Sequence, residues 1–212
     1  LGFGSDFTAY PLTQASVIPY RFEGIISNTG IITQTNAKMN VSVEEMSSGT
    51  TYPYSSNTSS IVSGQNDTVQ TVNGFTPMSQ GQYNISFWAT SDSATTDTVV
   101  KTTIVTDTVY AVDYDWNFDG ANAGGSYFLG RDCGGQVLGN AFDIHEATYA
   151  TSISFFVSDN SVAGASVKVG IYEVDPAVSV QTTPPFLFGS SSPYELKAQD
   201  INSWVTVKLT SP

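Results

Sequence analysis

Apolar and polar residues alternate one by one along most of this 212-residue chain, and no long stretch repeats at the helical period. Tyr20, Phe22, Gly24 and Ile26 share one side, with Arg21, Glu23 and Ile25 on the other. Met39, Val41 and Val43 alternate with Asn40, Ser42 and Glu44; Tyr83, Ile85, Phe87 and Ala89 alternate with Asn84, Ser86, Trp88 and Thr90. An extended strand sends successive side chains to opposite faces, so this pattern predicts strands with one face buried. Turn-forming clusters punctuate the runs at Asn28-Thr29-Gly30, Ser47-Ser48-Gly49, Ser63-Gly64-Gln65, Asn73-Gly74 and Gln80-Gly81. About seven short strands at this spacing in the first half predict an antiparallel sandwich.

The second half continues in the same style. Residues 108–112 read as a strand and 113–135 as a Gly/Asn/Asp-rich loop. Further strands are expected near 136–143, 149–157, 166–174, 194–198 and 203–209. Pro176, Pro184, Pro185 and Pro193 mark the stretch from Asp175 to Pro193 as mostly loop. The expectation is an all-β chain of two tandem antiparallel β-sandwich domains, 1–106 and 107–212. No Gly/Ser linker separates them near residue 106, which predicts a stiff joint.

Charge disfavours several partners. Charged residues are only 12% of the chain and the net charge is −12, with seven Lys and Arg scattered singly. Nucleic acid and anionic membrane surfaces need clustered basic residues, so both are expected to be poor partners. No apolar run reaches membrane-spanning length, so no membrane insertion is expected. The single cysteine, Cys133, permits no internal disulfide. The sequence starts at Leu1 without a Met and contains no signal-peptide pattern, and the expectation is a mature or excised fragment. A surface rich in Ser, Thr, Asn and Gly in place of charge is common on extracellular β-proteins.

The densest cluster of oxygen ligands is Asp113, Asp115, Asn117 and Asp119, followed by Gly120. Calcium takes six to eight oxygens, often from alternate loop positions ahead of a turn-making glycine. Ser126 stands where an EF-hand would have its bidentate glutamate, so that motif is rejected, while a single calcium in a sandwich loop remains open. In the competing reading Tyr114, Trp116 and Phe118 face the core and the acids face water. Chemistry-bearing sets are otherwise sparse. Cys133 and His145 stand alone, without the base and orienting group of a nucleophilic site. Glu44 and Glu45 are neighbours on one strand and so face opposite ways; Glu173 and Asp175 share a face. Surface charge accounts for both pairs better than sugar hydrolysis does. Trp88 lies on the polar side of its strand. It is read first as a contact to a neighbouring domain or subunit and second as a platform for polysaccharide.

Several runs are similar to a known architecture. Residues 20–30 (Tyr20 to Gly30), 34–43 and 75–87 resemble CARDB-like domains of the Ig/fibronectin-III type, and 105–113 resembles the exit from such a domain. Residues 137–144, 151–157, 169–174 and 204–209 resemble the jelly-roll-like module that follows in large bacterial proteins exported by the type IX system. The resemblance implies an extracellular or cell-surface protein with no catalytic residue. It also implies that the second sandwich is incomplete at Pro212, leaving an edge for strand addition. The Asp-Ser/Thr-apolar triplet used for O-glycosylation in such bacteria occurs at Thr68, Ser93, Thr98 and Thr108. The functional expectation is a non-catalytic structural or adhesive module, a stiff spacer or an assembly subunit partnered by neighbouring domains. The alternative is a carbohydrate-binding accessory region of a secreted enzyme.

Overall fold

The structure, a computed structural model, describes residues 8–112, 139–173 and 186–210. The fold is all-β and of the sandwich type, with one four-residue α-helix and no closed sheet among the described residues. Backbone proximity divides the chain into two compact units. Among the described residues, 8–112 and 142–146 form the first, and 139–141, 147–173 and 186–210 form the second.

In the first unit the elements run β1 (Ala9–Pro11), α1 (Leu12–Ala15), β2 (Glu23–Ser27), β3 (Gln34–Glu45), β4 (Thr50–Ser55), β5 (Ser59–Ile61), β6 (Asn66–Gln70), β7 (Gly81–Thr90) and β8 (Val99–Thr106). The larger sheet has the order β1-β8-β7-β3-β4, with β5 also on β3. Its β8-β7-β3-β4 ladders are antiparallel, whereas β1 joins β8 in parallel through Ala9–Ile104, Tyr10–Val105 and Pro11–Thr106. β2 and β6 form the facing antiparallel ladder. Alternation sets the core. Met39, Val41, Val43, Tyr83 and Ile85 of the larger sheet pack with Phe22, Val69 and Phe75 of the facing layer, all buried. The β3–β4 turn closes where Gly49 takes φ 68°, a left-handed conformation that glycine adopts without steric cost, and its N–H reaches Glu45 O at 2.8 Å.

Two expected strands are not formed as such among the described residues. Residues 108–112 contribute only a bridge from Ala111 to Ala9. The reason lies at Thr106, whose hydroxyl accepts from Val109 N at 2.9 Å and donates to Val109 O at 2.8 Å. This side-chain turn bends the chain straight after β8 and overrides the alternating pattern that follows. Within 136–143 only 139–143 are described, and they form no strand.

The second unit holds β9 (Ser152–Val157), β10 (Ser166–Val167), β11 (Gly170–Glu173), β12 (Phe186–Ser190), β13 (Tyr194–Glu195) and β14 (Ser203–Lys208). They pair as antiparallel ladders β9–β14, β10–β13 and β11–β12. Val157, Val169, Leu196, Val205 and Val207 make its core. The buried Ser191 hydroxyl takes Val169 N at 3.1 Å, while Ser191 N gives to Val169 O at 2.9 Å, which joins two loops under that core. Asp200 accepts from Lys197 N and Tyr194 Oη, both at 2.8 Å, and the backbone N–H foremost holds its carboxyl below the usual range.

Candidate functional site

Two places in the first unit combine polar groups from distant parts of the chain. The first is a clasp. Gln14, in α1 and only 1% exposed, turns its amide toward residues 145 and 146. Its Oε1 accepts from His145 N at 2.8 Å and Glu146 N at 3.1 Å, and its Nε2 donates to Glu146 O at 2.8 Å. One side-chain amide thus satisfies both backbone donors and an acceptor, as a strand partner would. Tyr10 Oη donates to Asp143 O at 2.7 Å, and the Phe142 ring meets Tyr110 edge-on at 5.6 Å. Tyr10 in turn packs edge-to-face on Tyr110 at 5.2 Å and on Tyr20 at 6.1 Å. Residues 142–146, expected from sequence in the second domain, are therefore part of the first unit.

The tyrosines under this clasp define an alkaline limit. Burial raises the phenols of Tyr10, Tyr20 and Tyr110 above the ordinary range, and their mutual proximity adds to this for Tyr20 and Tyr110. Burial also raises Tyr54 and Tyr83. Above the ordinary phenol value of about 10, the unfolded chain has released protons that the folded chain still holds. Stability is therefore fully present below about pH 10 and falls as pH rises toward the folded-state values. Alkaline titration is expected to give two tyrosinate phases, the later one coinciding with loss of the sheet's circular dichroism. A single phase near pH 10 with the fold intact would contradict it.

The second place surrounds Trp88. Register puts Trp88 of β7, Asn40 of β3 and Ser55 of β4 side by side on one rung. They share the outward face, because Val41 and Val43 of β3 point into the core. Beyond the sheet edge Val72 N donates to Ser55 O at 2.9 Å and brings Val72 and Asn73 alongside. Together with Pro53 these residues line a groove of about 350 Å³. Asn40 Nδ2 is anchored on Thr90 Oγ1 at 3.0 Å, which fixes the plane of its amide.

The other residues singled out from sequence fall as follows. Asp113, Asp115, Asn117 and Asp119, the expected calcium ligands, lie outside the described residues, as do Cys133 and Asp175. Among the described residues no three His, Cys, Asp or Glu side chains come together as a metal group. His145 contributes its backbone N–H to the clasp. Glu45 is held by serines: Ser79 Oγ donates to its Oε1 and Ser48 Oγ to its Oε2 at 2.8 Å, and these bonds lower its pKa. Thr68, Ser93, Thr98 and Thr108 are all exposed. Thr68 stands on β6 opposite Ile25, whereas the Ser93 hydroxyl donates to Gln34 Oε1 at 2.7 Å. Its neighbour Asp92 is clamped by Thr35 Oγ1 at 2.6 Å and Asn36 Nδ2 at 2.9 Å, and those bonds lower its pKa.

Sequence reasoning found Trp88 but not its groove, and it missed Gln14 altogether. The Asn40–Trp88 register follows from two alternating runs that the sequence displays. The partner of Gln14 lies more than 130 positions away, so only folding reveals it. Comparison with models of protein families, with curated proteins and with solved structures gives no match.

Proposed function

We propose that the chain is a non-catalytic, load-bearing module of an extracellular or cell-surface protein, serving as a spacer or an assembly subunit. The observation that carries this reading is the parallel pairing of β1 with β8. The chain enters the first unit at one end of this pair and leaves β8 at the other. A pull between the start of β1 and the end of β8 slides the two strands past each other and loads their backbone hydrogen bonds together, once the Ala9–Ala111 bridge that folds the following residues back beside β1 is undone. An antiparallel pair pulled at adjacent ends would instead open rung by rung. The strand order β8-β7-β3-β4 facing β2–β6 supports an Ig-like assignment for this unit, since variable-type Ig domains extend a three-stranded sheet of this kind with further strands at its edge. The clasp at Gln14 supports the reading further, because it ties residues 142–146 back to the strands that would carry load. The low charge and the hydroxyl- and amide-rich surface favour an extracellular setting.

Single-molecule pulling tests the proposal. Handles at residues 8 and 107 load the β1–β8 pair in shear; handles at 80 and 107 peel β8 from β7. A rupture force clearly higher in the first geometry is expected. Equal forces, or a weaker shear geometry, would remove the mechanical basis of the proposal.

A further inference from the structure

We infer that the groove beside Trp88 is a binding site for a neutral glycan. The lining excludes other ligand classes by its chemistry. In a chain of net charge −12, none of its residues is charged, which leaves nothing to hold a phosphate, a carboxylate or a metal ion. It offers instead an aromatic side chain with the Asn40 carboxamide beside it, then the Ser55 hydroxyl and, across the β4 edge, the Asn73 carboxamide, with Pro53 and Val72 as apolar walls. Sugars present the same mixture. A pyranose ring has an apolar C–H face and a rim of hydroxyls that both donate and accept. An indole takes the face, and carboxamides, each with two donors and an acceptor, take the rim.

Geometry adds to composition. Asn40 uses one amide N–H on Thr90 Oγ1, so its plane is set before any ligand arrives. Trp88, Asn40 and Ser55 lie on a single rung of adjacent strands, so the platform and two polar groups share one rigid sheet face. Neighbouring strands are spaced about 4.8 Å apart, which places successive groups within the span of one or two sugar rings. The volume of about 350 Å³ sits at the small end of ligand sites, appropriate to a short stretch of a longer chain.

The test uses neutral hexasaccharides built from glucose, mannose, xylose or N-acetylglucosamine, with a uronic-acid hexasaccharide as the anionic comparison. Each is titrated into the chain while backbone and indole NMR resonances are followed. At least one neutral probe is expected to shift the Trp88 indole together with the Asn40 and Asn73 amides, with millimolar or tighter affinity. Trp88→Ala should weaken that binding about tenfold or more, as is usual for an aromatic anchor. Asn73→Ala, at an exposed loop position, should weaken it severalfold. No shift from any neutral probe at millimolar concentration would overturn the inference. So would tighter binding of the anionic probe, or binding that both variants leave intact.

Discussion

Replacing Gln14 with leucine is expected to destabilise the first unit by about 3 kcal/mol, on the basis of about 1 kcal/mol for each of its hydrogen bonds to residues 145 and 146. For a unit of this size that corresponds to a fall of roughly 10–15 °C in melting temperature. The leucine fills most of the space, so little of the loss comes from a cavity. The backbone groups of residues 145 and 146 would return to water, and their amide hydrogens should exchange much faster. Gln14→Glu gives a sharper result. A neutral glutamic acid reproduces the amide's pattern of one donor and one acceptor, whereas the carboxylate cannot donate to Glu146 O. Burial favours the neutral form and raises the folded-state pKa above the ordinary glutamate value of about 4.3. This variant should therefore approach the parent stability only at about pH 4 and below, and lose it as pH rises through the raised value. Melting curves at several pH values check this. A variant equally weak at every pH would mean that Gln14 acts by shape rather than by its hydrogen bonds.

Strands whose two faces meet different surroundings were legible in the sequence. The alternation at 39–43 and 83–89 places Met39, Val41, Val43, Tyr83 and Ile85 inward, and each is buried. The same holds at 203–208, where Val205 and Val207 are buried and Trp204 faces outward across from Phe156. Legibility fails where a side chain competes with the backbone pattern. Residues 108–112 have a strand-like composition, yet the Thr106 hydroxyl captures Val109 and ends the run. It also fails for β1, because three residues ending in proline carry no period, and their pairing is decided by the distant Ile104–Thr106 segment. β8 shows the same limit. Thr103, Ile104 and Val105 are buried in succession because other elements cover both faces there, whereas Val99 and Val100 remain exposed. Of the candidate groove, Trp88 and its outward direction were legible. The contribution of Asn73 was not, because it depends on a loop folding against the β4 edge.

Phe75→Ala is expected to be the most damaging substitution in the first unit. Phe75 is 2% exposed, and its ring contacts Tyr52 at 5.4 Å, Tyr83 at 5.6 Å and Tyr54 at 6.2 Å. Its backbone exchanges two 2.8 Å hydrogen bonds with Tyr20. Removing a buried phenyl ring costs about 3–5 kcal/mol through lost transfer energy and the cavity left behind. Aromatic pairs add roughly 0.5–1.5 kcal/mol beyond area. Total domain stability is only about 5–15 kcal/mol, so the variant should be partly unfolded at physiological temperature. Phe75→Leu separates the two terms: it keeps most of the volume and loses the ring pairing, so about 1.5 kcal/mol is expected. Urea denaturation of both variants gives the comparison. If alanine costs under about 2 kcal/mol, the site collapses around the gap and the aromatic layer is not what joins the two sheets. If leucine costs nearly as much as alanine, ring geometry rather than volume holds that layer together.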